Sequence, residues 1–126
     1  MSTKYWVDKA RDLITIECRD SVDICDIASQ ILHIYGDPAC AGVGKRLVDA
    51  RDARVDGPVG AFSALVDLFV WQAQDLESGR IAIFVNRRAG MDWAHSLLEL
   101  VEPRLTNVAV CSTRTDVCTF LNIQEL

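Results

Sequence analysis

The chain has 126 residues, of which half are apolar and a quarter charged, which is the composition of a single folded domain with its own core. Its net charge is −5, from 13 Lys and Arg against 18 Asp and Glu. This acidic balance excludes nucleic acid as the expected partner, because phosphate contacts need clustered cations, and it disfavours docking on an anionic membrane.

The N-terminal residues and the cysteines predict a compartment. The segment MSTKYWVDK has no apolar core behind its charge, and no apolar run approaches the roughly 18 residues of a membrane-spanning helix. We therefore expect no signal peptide, no stable membrane insertion and a cytoplasmic location. The 5 cysteines include no C-x-x-C pair, so reduced structural thiols are expected, with Cys40 in a loop as the exposed one.

The first third of the chain predicts a β-hairpin followed by a helix. Lys4–Asp8 and Leu13–Cys18 alternate or run apolar on either side of the polar turn KARD. The apolar spacing then changes to that of a helix, which begins at Asp20 as N-cap and ends at Gly36. The core-facing residues of this helix are predicted to be Ile24, Ile27, Ala28, Ile31 and Tyr35.

The rest of the chain predicts three strand–helix units. The strand Lys45–Asp49 is followed by the turn DARVDG, and Pro58 is favoured at the first position of the next helix. Arg80–Val85 is apolar on both faces, which is typical of a strand inside a sheet. Asn107–Ser112 is the last strand, and Thr113 is the predicted N-cap of a final helix. The apolar stripes of the three helices are Phe62, Leu65, Val66, Phe69, Ala73 and Leu76; Ala94, Leu97, Leu98, Val101 and Leu105; and Val117, Phe120 and Leu121.

The predicted order of elements is β-β-α-β-α-β-α-β-α, in one domain over residues 1–126. Strands that alternate with helices pair in parallel, while the opening hairpin adds one antiparallel strand. We therefore predict an α/β fold with a mostly parallel, mixed five-stranded sheet and four helices.

Three segments carry a resemblance to a known family: LVDAR at 47–51 at the end of a strand, GM at 90–91 at the start of a helix, and DVCTFL at 116–121. With this order of elements, the chain resembles the SpoIIAA-like or STAS family of anti-sigma factor antagonists and transporter tail domains, in particular its small stand-alone bacterial members. The resemblance covers nearly the whole chain. It implies a superhelix of four βα turns, with a functional edge at the start of the helix after the third strand.

The same resemblance bears on regulation. Classical antagonists carry an acid followed by two serines at that edge, and a partner kinase phosphorylates a serine. Laid on this chain, the acid falls at Asp56 and the serines fall at Gly57 and Pro58, neither of which can be phosphorylated. The nearest hydroxyl, that of Ser63, lies more than a helical turn further on. The resemblance therefore implies a domain without the classical phosphorylation switch.

Two predicted loops at the carboxyl edge of the sheet carry interleaved charges. Ligands of open α/β sheets bind beyond the carboxyl ends of the strands, and N–H groups at a helix start favour anions. Two interpretations stay open: the charges bind a small anionic or lipid-like ligand or a protein, or they pair with one another on solvated loops. The candidate residues are Asp49, Arg51, Asp52, Asp56, Gly57, Pro58, Asn86, Arg87, Arg88 and Gly90.

The second predicted helix is apolar beyond its core stripe, at Leu68, Val70 and Trp71. Such a helix is either buried on several sides within the domain or carries a self-association surface, so a homodimer stays open. His33 and His95 have no second ligand at metal-binding spacing, and we predict neither a metal site nor a cofactor.

The predicted function is a non-enzymatic regulatory or binding domain that acts through protein contacts, with a small ligand left open and the partner unidentified. The alternative is a small hydrolytic or transfer enzyme with His95 as general base. Ser63, His95 and Asp49 supply the residue types of a catalytic triad, but no G-x-S-x-G motif accompanies them. The GVG at 42–44 precedes a strand rather than a helix, so it is not a phosphate-binding loop.

Overall fold

In the computed structural model, the described residues are 3–57, 60–61, 63–65, 67–68, 71, 79–86, 93–95, 99 and 107–126. They form a five-stranded mixed sheet with helices, which confirms the predicted α/β class. The strands are β1 (Thr3–Asp8), β2 (Leu13–Asp23), β3 (Lys45–Asp56), β4 (Arg80–Val85) and β5 (Val108–Cys111). The helices are α1 (Ile24–Gly36), α2 (described at 60–61, 63–65, 67–68 and 71), α3 (described at 93–95 and 99) and α4 (Arg114–Leu121).

The strands of the sheet lie in chain order, from β1 at one edge to β5 at the other. β1 and β2 are antiparallel, as the predicted hairpin requires, and the other three pairs are parallel. The hairpin turn contains a short 3-10 helix, Lys9–Arg11. β4 has the predicted bounds, and all of its residues from Ile81 to Val85 are buried, as a continuous apolar run indicates.

The first face of the sheet packs against α1, α2 and α3 and holds the larger core. The helices contribute Ile24, Ile27, Ile31 and Ile34 of α1, Leu65 of α2, and Trp93 and Ala94 of α3. In β3, Val48 and Ala50 belong to this core. Because successive side chains of a strand point to opposite faces, Asp49 and Arg51 point away from it, to the second face.

In the described part of the chain, the second face is covered by α4, which packs mainly on β4 and β5. Val117 and Leu121 of α4 are fully buried there, as the sequence predicts, against residues that include Leu47 and Phe84. Thr113 is the N-cap of α4 and accepts a hydrogen bond from the backbone N–H of Asp116 at 3.1 Å. No described helix lies over β1 and β2 on this face.

The predicted ends of β2 and β3 and the predicted start of α1 are wrong, because β2 and β3 continue together past the rest of the sheet. Residues 52–56 of the predicted turn DARVDG are strand, and β2 continues to Asp23. Helix α1 begins after Asp23, which caps it with a capping box, rather than after Asp20. The two polar segments pair from Arg19 with Asp52 to Asp23 with Asp56, after a bulge. Their apolar residues alternate, and Val22, Ala53 and Val55 are buried. We call this pair of segments the β2–β3 ribbon.

Two predictions of exposure are also wrong. In α1, Ile34 faces the core, whereas Tyr35 is half exposed. Cys40 is buried, because its loop forms a 3-10 helix, Pro38–Cys40, that packs against the core, and Cys25 is the exposed cysteine. All five cysteines are unpaired. Burial raises the pKa of Cys18 to about 12, which fits a structural thiol.

A membrane span was searched for among the described residues, and none of their helices has the length and apolar character to cross a bilayer. Several predicted positions lie outside the described residues. They are Pro58, Phe62, Val66, Phe69, Val70, Ala73, Leu76, Arg87, Arg88, Gly90, Leu97, Leu98, Val101 and Leu105.

Candidate functional site

A cavity of about 200 Å³ lies on the second face, beside α4 and over the part of the sheet formed by β1, β2 and β3. We call it the second-face cavity. Its lining residues are Trp6, Asp8, Arg11, Leu13, Thr15, Glu17, Leu47, Asp49, Arg51, Arg114 and Leu126. Apolar side chains and both signs of charge therefore meet in one concavity, which is the usual make-up of a small-molecule site.

The floor of the cavity is a row of residues opposite one another in neighbouring strands. Trp6 of β1 pairs with Thr15 of β2, and Thr15 pairs with Leu47 of β3. Thr15 is 7 % exposed and lines the cavity. Its hydroxyl is of a type that can both donate a hydrogen bond to a bound molecule and accept one from it.

The next row places two carboxylates side by side. Glu17 of β2 lies opposite Asp49 of β3, and their side chains are 13 % and 17 % exposed. Oε1 of Glu17 forms ion pairs with Nε of Arg19 and, at 3.9 Å, with Nζ of Lys4. Like charges on neighbouring strands repel, and the flanking cations offset this repulsion.

Arg51 holds the second carboxylate. Its Nε and one terminal nitrogen donate to the two oxygens of Asp49 at 2.9 and 2.8 Å. Its guanidinium also lies over the ring of Phe84, with 4.5 Å from Cζ to the ring centroid. The hydrogen bonds with Asp49 raise the pKa of Arg51 above its ordinary value, and the arginine is charged at every accessible pH.

The remaining charged lining residues come from the hairpin turn and from α4. Arg11 donates from Nε to Asp8 at 2.8 Å and also donates to the carbonyl of Glu125 at 2.6 Å. Arg114 is the first residue of α4, and it forms no ion pair with any described residue. Arg114 is therefore the lining cation whose charge is not yet matched within the described structure.

Of the residues predicted for the site, Asp49 and Arg51 lie together in this cavity. Asp52 and Asp56 lie on the β2–β3 ribbon, where Asp56 pairs with Arg54 at 3.3 Å in full exposure to solvent. Gly57 follows the ribbon and packs against Ile24 at the start of α1. Both interpretations of these charges stay open: Arg54 and Asp56 pair on the ribbon, and Asp49 and Arg51 line the cavity.

The two predicted loops start at different levels of the sheet. Asn86 follows Val85, which lies opposite Ala50, so Asn86 is near the level of Arg51. Asp56 lies six residues after Ala50 in β3, a distance of roughly 20 Å at about 3.3 Å per residue. Among the described members of the two loops, the structure thus brings Asn86 near Arg51 and keeps Asp56 and Gly57 apart from it.

The catalytic set drawn from the sequence is not assembled. Asp49 points to the second face, whereas α2 and α3, which carry Ser63 and His95, pack on the first face. Ser63 and His95 are both exposed there. Among the described residues, no group of three His, Cys, Asp or Glu side chains has the spacing to hold a metal ion.

The predicted interface helix carries part of an exposed apolar surface. Trp71 is 43 % exposed and stacks on Tyr35 of α1, with ring centroids 4.1 Å apart. Leu32, three residues before Tyr35 in α1, is also exposed. Leu68 is partly buried against the core. Self-association through this surface stays a prediction.

Trp6, Thr15, Glu17 and Arg114 are lining residues that were missed from the sequence. The alternation of LITIEC was the available signal, because Thr15 and Glu17 stand between the apolar residues Ile14, Ile16 and Cys18. It indicates a strand with one polar face, but not which other elements meet that face. The position of Arg114 depends on where α4 docks, and no local pattern gives that.

Comparison with known proteins adds no relative: no protein-family model, no curated protein and no solved structure matches this chain. The resemblance to the SpoIIAA-like family therefore stays a prediction.

Proposed function

We propose that the chain is a non-enzymatic regulatory domain of the SpoIIAA-like type, which works by reversible binding, with the second-face cavity as its ligand site. The observation that carries this proposal is the concavity in which apolar side chains meet the neighbouring carboxylates of Glu17 and Asp49. A concavity with apolar walls and a few convergent charged groups is typical of a small-molecule site.

The electrostatic arrangement supports binding rather than chemistry. Asp49 is held by Arg51, and Asp8 by Arg11, so the two carboxylates are fixed in charged pairs. A carboxylate that an arginine holds in one position can orient a bound ligand. No histidine is among the residues that line the cavity.

The resemblance adds a protein partner to this proposal. The sequential strand order is the order that a βα superhelix needs, and the edge that the resemblance assigns to a partner corresponds to Asp56 and Gly57 at the end of the ribbon. The exposed charges there suit a polar protein contact. Because that edge has no phosphorylatable serine, we propose that the binding of a ligand in the cavity regulates the domain.

Native mass spectrometry of gently purified protein tests the proposal. Trp6 lines the cavity and Trp71 lies on the other side of the sheet, and both are 43 % exposed, so Trp6→Ser and Trp71→Ser are matched variants. We expect an added mass that is lost on denaturation in the parent chain and in Trp71→Ser, and a reduced one in Trp6→Ser. A parent chain without added mass, or equal retention in both variants, would contradict the proposal.

A further inference from the structure

We infer that β1 is an interface at which two copies of this chain pair edge to edge, antiparallel and about a two-fold axis at Trp6. The two five-stranded sheets then join into one continuous sheet. Such pairing does not require a ligand in the second-face cavity, and it uses a different surface from the helix surface around Trp71. Three observations support it: the open edge of β1, the exposure of its second-face side chains and the opposite charges at its two ends.

β1 is an edge strand with a free side. It is the first strand of the sheet, and in the described part of the chain it pairs with β2 alone. An edge strand has a row of unpaired backbone N–H and C=O groups with which a second strand can pair. Proline, a bulge or a very short length are among the features that hinder such pairing. β1 has 6 residues and no proline, and its register with β2 is unbroken from Thr3 to Asp8.

The side chains of β1 alternate between the two faces of the sheet. Tyr5 and Val7 pack partly against the first-face core. Trp6 and Asp8 line the second-face cavity, and Lys4 forms an ion pair on the same face. Trp6 is 43 % exposed, in the region of the second face that no described helix covers. Since tryptophan is enriched at the cores of protein interfaces, an exposed one on an open strand edge suits a contact between chains.

Antiparallel pairing about Trp6 matches the charges of the two strands. Side chains directly opposite one another in a sheet lie on the same face, so a symmetric pair of strands has one residue opposite its own copy. With Trp6 in that position, Lys4 of each copy lies opposite Asp8 of the other, and Tyr5 lies opposite Val7. Two opposite-charge pairs thus flank the tryptophan pair on the second face, and two apolar pairs lie on the first face. Cross-strand pairs of both kinds stabilise a sheet.

Other pairings of two β1 strands lose this match. If Tyr5 lies opposite its own copy, Lys4 lies opposite Trp6, and Asp8 extends beyond the strand of the other copy. Parallel strands in the same register would place Lys4 beside Lys4 and Asp8 beside Asp8, and like charges repel. Asp8 already accepts hydrogen bonds from Arg11, but each carboxylate oxygen can accept more than one. The charges of β1 therefore favour one closed dimer.

Sedimentation equilibrium of the parent chain, Trp6→Asp and Trp71→Asp tests the inference. Both tryptophans are 43 % exposed, and they lie on opposite sides of the sheet, so the two variants are matched. We expect the parent and Trp71→Asp to form a dimer with the same dissociation constant. Trp6→Asp is expected to raise that constant about tenfold or more, because two carboxylates then meet on the two-fold axis. Lys4→Gln removes both opposite-charge pairs and is expected to raise it roughly threefold.

Disulfide crosslinking tests the register, and it stays decisive if Trp6→Asp fails to fold. In the proposed dimer the Cα atoms of the two copies of residue 6 are about 4.5 to 5.5 Å apart, which is within reach of a disulfide. In a Cys25→Ser background, which removes the exposed thiol, we expect Trp6→Cys to form a covalent dimer under mild oxidation. Lys4→Cys is the control, because its two copies would lie roughly 13 Å apart along the strands at about 3.3 Å per residue.

Four outcomes overturn the inference. The first is a parent chain that stays monomeric at its highest soluble concentration, and the second is an assembly that grows beyond two chains. The third is a dimer that Trp71→Asp weakens as strongly as Trp6→Asp, since the helices of the first face would then form the contact as much as β1. The fourth is equal crosslinking of Lys4→Cys and Trp6→Cys, which the two-fold register about Trp6 does not permit.

Discussion

Arg51 joins two strands across the second face of the sheet, because its guanidinium donates two hydrogen bonds to Asp49 on its own strand and stacks over Phe84 on the next. The pairing with Asp49 is bidentate, and the stacking needs a planar cation. Lysine supplies neither property. The side chain of Arg51 is 31 % exposed, so solvent screens part of the interaction.

Arg51→Lys is therefore expected to lower the free energy of unfolding by about 1 kcal/mol, from the lost fork and the lost stacking. Urea denaturation measures it. Arg54→Lys is the matched control, since its side chain is 77 % exposed and its ion pair with Asp56 is a solvated one. We expect the control to change the free energy by less than about 0.5 kcal/mol. Equal losses in the two variants would contradict the structural role of Arg51.

Gly57→Ala is expected to destabilise the fold. A Cβ at this position would overlap Cγ2 of Ile24 and lie 3.1 Å from its Cβ. Ile24 is fully buried and β-branched, so it has little room to move. We expect a loss of about 1 to 3 kcal/mol in the free energy of unfolding, as for other overpacked sites.

Gly60→Ala is the control for that prediction. Gly60 is helical, and a Cβ there meets nothing within 4 Å. Alanine in an exposed helical position stabilises by about 0.5 to 1 kcal/mol relative to glycine. The two alanine variants should thus have thermal midpoints on opposite sides of the parent midpoint, and a shift in the same direction would count against the described contact of Gly57 with Ile24.

The hydrogen bond between Tyr5 and Asp37 predicts a pH dependence. The phenol donates to Asp37 at 2.8 Å, which together with burial raises the pKa of Tyr5 to about 12 from an ordinary value of 10.0. Because the folded pKa is raised, the stabilisation is fully present below pH 10 and is lost as the pH rises towards 12. Asp37→Asn should bring the pKa of Tyr5 back towards 10.

An absorbance titration of tyrosinate measures this shift. The chain has 2 tyrosines, so both the parent and Asp37→Asn are made in a Tyr35→Phe background to leave Tyr5 as the titrating phenol. Asp37→Glu keeps the charge and changes its reach, and we expect it to retain part of the elevation. An unchanged titration curve in Asp37→Asn would show that the hydrogen bond does not set the pKa.

The docking of α4 depends on cations that reach its C-terminal end. Arg80 of β4 donates to the carbonyl of Phe120 at 2.7 Å, and its guanidinium lies 5.5 Å from the centre of that ring. Lys45 donates to the carbonyl of Asn122 at 3.3 Å. Arg80→Met removes one of these bonds and should speed hydrogen exchange of the α4 amides roughly five- to tenfold. Arg54→Met is expected to leave that exchange unchanged, and equal exchange in the two variants would refute the role of Arg80.

The elements that were predicted correctly are those in which one segment contains its own signal. β4 is buried on both faces, and its apolar run alone predicts its bounds. The capping of α4 by Thr113 is equally local. The β2–β3 ribbon was missed because its two segments are mostly polar. Val22, Ala53 and Val55 can be recognised as buried residues only when the two segments pair with each other.

The candidate site likewise contains residues that were predicted from the sequence and residues that were not. Asp49 and Arg51 were predicted for the site because they are charged residues at the end of an apolar strand. Since side chains alternate along β3, both of them lie on the second face. Trp6 and Thr15 lie on the predicted hairpin, but the hairpin sequence does not indicate which other residues meet its polar face, and Arg114 comes from the far end of the chain. Long-range packing brings these residues together, so the sequence pattern alone does not predict the cavity.

The most direct test of the central claim, that the second-face cavity binds a small ligand, is a two-dimensional NMR titration of the tryptophan indole N–H signals. The chain has 3 tryptophans, and Trp6 lines the cavity, whereas Trp71 and Trp93 lie with the helices of the first face. Substitution of each residue by Phe assigns its signal. With benzoate as a small probe that combines an apolar ring with one charge, we predict a saturable shift of the Trp6 signal and none for the other two. A stationary Trp6 signal while those of Trp71 or Trp93 move would place binding elsewhere and contradict the account.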